Sequence, residues 1–301
     1  MLDSWATGDI WAPVEVVGED DESEPMGSKE KFWTSSPDGE RWLFKYARVH
    51  EHVTRGEDWA ECLVHSLASQ LRIPTATVRL AHCRGRRGIV SRSMVTQTQV
   101  LVHGNELLSM TDADYDREAE RENPRYTVST IESALRIIDP TPGLSGLVPV
   151  QTAFDQLAGY LMLDAWVAGR DRHHRNWAVV TDGERLWLAP SFDHGNALGF
   201  QESSMHHDQL ASDETALLRW SRRGKSPHFF GRPSLTSIAN QALDTATPEA
   251  AQAWRERLSQ VTQEVIEQAL YGAPEAVLSA ETRRFCVRLL LLNRRRVLDG
   301  D

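Results

Sequence analysis

The chain has 301 residues, 41% hydrophobic and 25% charged, the composition of a globular protein with room for one large domain or two lobes. Thirty-three Lys and Arg stand against 43 Asp and Glu, and a net charge of −10 excludes broad affinity for nucleic acid or an anionic membrane surface. Cys62, Cys83 and Cys286 are widely spaced, without a CxxC pair, so neither a disulfide framework nor a structural zinc site is indicated. The first basic residue is Lys29, which leaves no positive segment for a secretory signal, and no apolar run approaches membrane-spanning length. A reducing, cytoplasmic location without a membrane partner is expected.

In chain order, Trp11 to Val17 reads as an edge strand, followed by an acidic run from Glu19 to Glu24 that reads as a solvated loop. Lys31–Trp33 and Arg41–Tyr46 flank the turn signal Ser36-Pro37-Asp38-Gly39 and predict a β-hairpin. Trp42, Phe44 and Tyr46 alternate along its second strand. Trp59, Cys62, Leu63, Leu67 and Leu71 recur at helical spacing from Glu57 to Leu71, and Pro74 ends that helix. Residues 78–80 and 89–95 predict two strands around a turn at Gly85-Arg86-Arg87-Gly88. These elements form a small β-rich lobe over residues 1–96.

Residues 97–301 read as a larger, mainly helical lobe. Residues 110–126 are polar and predict a surface loop, and helices are expected at 130–138, 150–167, 249–271 and 281–297. Residues 201–234, rich in His, Arg, Gly and Pro, predict a long irregular loop. Trp177–Val180 and Leu186–Ala189 predict a second hairpin around Thr181-Asp182-Gly183-Glu184. Most of the ten tryptophans sit in apolar patterns and are expected in the core.

The residues that carry chemistry flank this second hairpin. Asp171-Arg172-His173-His174-Arg175-Asn176 precedes it, and Asp193 follows it, seventeen residues after Asn176. Phosphoryl transfer from ATP needs a carboxylate to take the proton of the attacking hydroxyl and oxygen ligands to hold Mg²⁺ against the phosphates. The spacing D-x-x-x-x-N with a later Asp on the next strand pair is the protein-kinase arrangement. The hairpin folds Asp193 back toward Asn176. Such a reaction also needs a cation on the phosphates and an acid to hold it. Lys45 lies on the strand after Trp42-Leu43-Phe44, and Glu61 lies in the middle of the next helix, with Glu57 and Asp58 as competing acids.

The order of these parts is that of a bilobal kinase, and the sequence resembles the HipA-like serine/threonine kinases, whose catalytic segment is related to phosphatidylinositol kinases. The resemblance covers residues 25–200. It rests on Gly27-Ser28-Lys29-Glu30-Lys31, Leu43-Phe44-Lys45, Glu61 with Leu71 and Pro74 behind it, Ala168 to Asn176, and Leu188-Ala189-Pro190-Ser191-Phe192-Asp193. It implies an α+β, bilobal protein-kinase-like fold using ATP and Mg²⁺, with a protein Ser/Thr hydroxyl as acceptor. Asp171 is then the catalytic base, and Asn176 and Asp193 hold the metal. Lys45 and His173 face the phosphates, Glu61 positions Lys45, and Gly27, Ser28 and Lys29 form the phosphate loop. Met94, ending the last strand of the small lobe, is a further nucleotide-contacting candidate.

The sequence departs from the family in two places. A chain of this length has no room for the extra N-terminal subdomain of full-length HipA toxins, so an antitoxin-like partner finds no support in the residues. His194-Gly195-Asn196 follows Asp193 where those toxins carry apolar residues. Three alternatives stay open on this fold: a catalytically silent nucleotide-binding scaffold, a nucleotidyl transferase, and a kinase for a lipid or small molecule. A distant fourth is a metallohydrolase built on His173, His174, His194, His206 and His207, although adjacent histidines on one element cannot converge on one metal. Arg222-Arg223-Gly224-Lys225 reads either as a solvated loop or as a contact for an acidic substrate.

Overall fold

The computed structural model describes residues 4–17 and 30–301. Gly27, Ser28, Lys29 and the acidic run lie outside the described residues.

Strand alternation builds the first sheet. Its order is β1 (Val14–Val16), β6 (Val78–Cys83), β7 (Arg86–Arg92), β3 (Arg41–Tyr46) and β2 (Lys31–Ser35), with β1 parallel to β6 and the other pairs antiparallel. Trp42, Phe44 and Tyr46 pack with Phe32, Val90 and Trp5 on one face, and Phe44 stacks on Phe32 with ring centroids 5.2 Å apart. Because successive side chains point to opposite faces, this commits Lys45 to the other side of the sheet. The turn between β6 and β7 is shorter than the sequence suggests. Arg86, Arg87 and Gly88 are already in strand, and Arg84 and Gly85, both at positive φ, make the reversal. A two-stranded ribbon, β4 (Val49–His50) and β5 (Val53–Thr54), leads into helix α1 (Glu57–Gln70). That helix is buried on nearly every side. Its apolar residues share one continuous core with the helices of the chain's second half.

The second sheet has the order β10 (Leu186–Leu188), β9 (Ala178–Thr181) and β8 (Val100–His103), all antiparallel. The hairpin β9–β10 matches the sequence reading, whereas β8 was not foreseen and opens the lobe read as mainly helical. Helix α2 (Gly104–Thr111) follows β8 directly. α4 (Ala153–Trp166) lies within its predicted segment, and α3 (Val128–Leu135) overlaps its own, starting two residues earlier. All fourteen residues of α4 are buried, making it the axis of the larger helical assembly.

The expected irregular stretch 201–234 is more than half helical: α5 (Ser204–Ser212) and α6 (Glu214–Arg222) occupy most of it, and its longest part outside the helices is 223–234. Ser203 and Asp213 start these helices by accepting from the backbone N–H groups of His206 and Ala216. α7 (Leu235–Thr245) was not foreseen. The predicted helix 249–271 is two helices, α8 (Pro248–Ser259) and α9 (Gln263–Leu270), separated where Thr262 caps the second. α10 (Ala280–Asp299) closes the chain.

α4 and α8 approach so closely that Gly159 has no room for a side chain. A Cβ there would lie 2.7 Å from the Trp254 ring, which is fully buried and anchored by its Nε1 donating to the Asp155 carbonyl at 2.8 Å. Replacing glycine by alanine in a helix ordinarily stabilises by up to about 1 kcal/mol. Here overpacking costs about 1–3 kcal/mol and wins. Gly159→Ala is therefore expected to lower the stability read from urea unfolding, and a gain in stability would show that the two helices can separate freely.

Candidate active site

The loop after α4 is organised by an ion pair inside the protein. Arg172 turns inward and donates from Nε and Nη2 to the two carboxylate oxygens of Asp164, at 2.7 and 2.8 Å, and from Nη1 to the Asn176 carbonyl at 2.8 Å. Both side chains are buried. Burial pushes the Asp164 carboxyl up, against the pull of Arg172. The pair thus joins the last turn of α4 to the far end of the loop. Further bonds set the residues between: His173 N–H donates to the Asp171 carbonyl at 2.8 Å, and Asn176 Nδ2 donates to the same carbonyl at 2.7 Å. The Tyr126 hydroxyl donates to the Arg172 carbonyl at 3.0 Å.

Within this frame the Asp171 carboxylate faces the cleft, and its Oδ1 lies 2.9 Å from His228 Nε2. Burial alone would raise its pKa. The His228 hydrogen bond, together with the charges of His173 and His228, outweighs that and holds it below the ordinary carboxylate value. Asn176 spends its amide nitrogen on the loop, which leaves the amide oxygen as the atom available to a cation. The His173 ring is half-buried 5.1 Å from the His228 ring, and burial moves its pKa down.

Asp193 arrives from the other side. After β10 the chain is stitched to the connection between α1 and β6, with Ser191 N–H donating to the Pro74 carbonyl and Ala76 N–H to the Ser191 carbonyl, at 2.9 and 2.8 Å. Asp193 follows with φ of 61°, in the left-handed region that is sparsely used by residues other than glycine and recurs at functional sites. Its carboxylate meets Lys45 Nζ at 3.4 Å. Asp171, Asn176 and Asp193 line one small cavity with Asp164, Arg172 and His194. The hairpin thus brings together the two ends that the sequence separates.

His194 is buried, and burial holds its pKa well below the usual value, so the ring is neutral. Its place after Asp193 is an interior one, which explains how a histidine stands where apolar residues were expected. Gly195 passes against α1, and a Cβ there would lie 3.4 Å from Glu61 Oε2.

Lys45 and Glu61 line a second small cavity between β3 and α1. The competing acids Glu57 and Asp58 line it too, but each is held by an arginine, and neither faces solvent. Glu57 accepts from the backbone N–H of Arg48 at 3.0 Å and from its Nε at 2.7 Å. Asp58 accepts from Arg87 Nε and Nη2 at 2.8 and 2.9 Å. Met94 lies half-buried in the bend between β7 and β8, in the connection between the two sheets.

The other histidines are dispersed. His174 Nδ1 lies 2.8 Å from the Tyr115 hydroxyl, His206 pairs with Glu202, and His207 lies between Thr282 and the Gly199 carbonyl. Among the described residues no group of three or more His, Cys, Asp or Glu is arranged to hold a metal ion. The donors around Asp193 are instead a carboxylate and an amide oxygen, the hard oxygen set that suits Mg²⁺.

Sequence reasoning passed over Asp164, Arg172 and His228. Asp164 had a signal: a carboxylate inside the apolar run Leu161 to Val167 must find a buried partner. His228 had none, because its meaning comes from a residue 57 positions away.

Residues 23–269 match the model of the HipA-like C-terminal domain. Among solved structures, the Helicobacter pylori proinflammatory kinase CtkA superposes with a TM-score of 0.73 at 13% identity, covering 96% of each chain. The HipA of Shewanella oneidensis MR-1, in its toxin–antitoxin complex with HipB and operator DNA, superposes with a TM-score of 0.53 at 11% identity, over 94% of this chain and 68% of that one. At these identities the superpositions speak to the fold alone. No curated protein sequence gives a match. The family match spans most of the chain, which therefore belongs to the HipA-like C-terminal domain family and has an α+β, two-lobed, protein-kinase-like fold.

Proposed function

We propose that the protein is an ATP- and Mg²⁺-dependent phosphotransferase that phosphorylates a Ser or Thr hydroxyl of a protein substrate. The observation that carries this reading is the convergence of Asp171, Asn176 and Asp193 on one cavity, with Lys45 3.4 Å from Asp193. Family membership and the protein-kinase-like fold support it. In this reading residues 1–96 hold the nucleotide and residues 97–301 carry the chemistry, and the free, buried cysteines fit a reducing cytoplasm.

Each role follows from the residue's chemistry. The Asp171 carboxylate takes the proton of the acceptor hydroxyl as that oxygen bonds to the γ-phosphorus and the bond to the β-phosphate oxygen breaks, releasing ADP. Asn176 and Asp193 would hold Mg²⁺, which neutralises phosphate charge when bound. Lys45 gives its ammonium to the phosphates in place of Asp193, with Glu61 beside it. His173, Met94 and the segment Gly27-Ser28-Lys29 complete the nucleotide contacts.

Two measurements test the assignment. Saturating ATP with Mg²⁺ is expected to stabilise the fold by about 2.7 kcal/mol at a hundred times Kd, seen as a rise in Tm that chelation of Mg²⁺ removes. Asp171→Asn keeps that rise while cutting transfer about 10²- to 10⁴-fold, whereas Asp193→Asn loses the Mg²⁺-dependent rise as well. Equal, mild effects of both changes would contradict the site.

The lysine side is separable from the neighbouring acids. Lys45→Ala and Glu61→Ala should each impair transfer, and the double variant should lose little more than either alone, because the two act as one unit. Asp58→Ala instead leaves Arg87 without its carboxylate partner and should cost about 2 kcal/mol of stability. Additive losses at Lys45 and Glu61 in steady-state assays would assign the acid elsewhere.

A further inference from the structure

The stretch between α6 and α7 places a histidine on the residue assigned as the base. His228 is buried, and both of its ring nitrogens face acceptors: Nδ1 is 2.7 Å from the Glu120 carbonyl and Nε2 is 2.9 Å from Asp171 Oδ1. A carbonyl oxygen only accepts, so Nδ1 carries a hydrogen. The contact with a carboxylate is favourable only if Nε2 carries one too.

Two loops hold the ring in this pose. Ser226 Oγ accepts from the backbone N–H groups of His228 and Phe229 at 3.2 and 3.3 Å. Phe229 packs against Tyr126 with centroids 4.6 Å apart, and Tyr126 itself holds the Arg172 carbonyl. The Glu120 backbone is tied in turn by the Glu120 side chain pairing with Arg175 at 3.1 Å. A ring serving only to fill space would have no reason to aim its second nitrogen at Asp171.

Resting on the phosphotransferase reading, we propose that His228 is a positioning residue: it donates Nε2–H to Asp171 Oδ1 and so fixes the carboxylate with Oδ2 turned to the acceptor hydroxyl. A cation beside a base lowers its basicity, so the gain lies in orientation and not in proton affinity. In the transfer step the acceptor O–H bond breaks and Asp171 Oδ2–H forms, while the Nε2–H···Oδ1 bond stays in place throughout. The sequence motif supplies the base, and a residue outside the motif sets its rotamer.

Two substitutions separate positioning from packing. His228→Leu removes the donor and keeps bulk, and His228→Gln keeps a neutral donor at similar reach. With labelled ATP and Mg²⁺, His228→Leu is expected to lower kcat about a hundred-fold while leaving KM for ATP within about two-fold. His228→Gln should recover about ten-fold of that loss. Unchanged kcat in His228→Leu, or equal impairment of the two variants, would overturn the proposal. The bond is also read without turnover, from the imidazole ¹⁵N spectrum of the full chain. A proton on His228 Nε2 is expected in the wild type and should vanish in Asp171→Ala, where only Nδ1–H retains a partner. The two readings fail separately: an inactive wild type sinks the transferase, and a bare Nε2 in the wild type sinks the bond to Asp171.

Discussion

The loop that carries Asp171 and Asn176 depends on the Asp164–Arg172 pair. An ion pair sealed from water contributes little net stability, because desolvating two charges offsets their attraction, yet losing one partner costs about 3–5 kcal/mol. Its value here is geometric. One guanidinium grips the last turn of α4 through two oxygens and the end of the loop through the Asn176 carbonyl. The backbone between has little freedom left. Asp171 is thereby presented outward while its neighbour Arg172 points inward.

The opposite wall is set by a different force. The aromatic face of β3 buries Trp42, Phe44 and Tyr46, and the pleat does the rest by turning Lys45 toward α1. The strand end after β10 is then hydrogen-bonded to the Pro74–Ala76 segment behind α1, which carries Asp193 to Lys45. Side-chain packing aims the lysine, backbone pairing delivers the carboxylate, and a buried salt bridge shapes the loop between them. Asp171 and Asp193 bring two carboxylates to one cavity, hard oxygen donors of the kind a divalent cation takes.

Much of this was legible in the residues, and the reasons for the failures are physical. The alternation in β3, the apolar stripe of α1 and the turn in the β9–β10 hairpin are local signals, and local signals survive without tertiary context. That Asp171, Asn176 and Asp193 meet at one cavity was legible because spacing is itself the signal. α5 and α6 were hidden because their stripes are thin: Leu210 and Leu217 are their buried apolar side chains, amid His, Asp, Gln and Arg. α7 was readable, since Leu235, Ile238, Ala239, Ala242 and Leu243 recur at helical spacing behind the cap Ser234. The irregular reading stopped at residue 234, and the segment from there to 248 was left without an element. The competing acids Glu57 and Asp58 show the limit of helix-surface logic, because only tertiary contact reveals that Arg48 and Arg87 cover them.

The most direct measurement is a crystal structure with Mg²⁺ and a non-hydrolysable ATP analogue. The account predicts a metal held by the Asn176 amide oxygen and the Asp193 carboxylate, and Lys45 moved from Asp193 onto a phosphate oxygen. The Asp164–Arg172 pair should be unchanged beneath them. A nucleotide bound away from this cavity, or a metal held by the histidines instead, would contradict it.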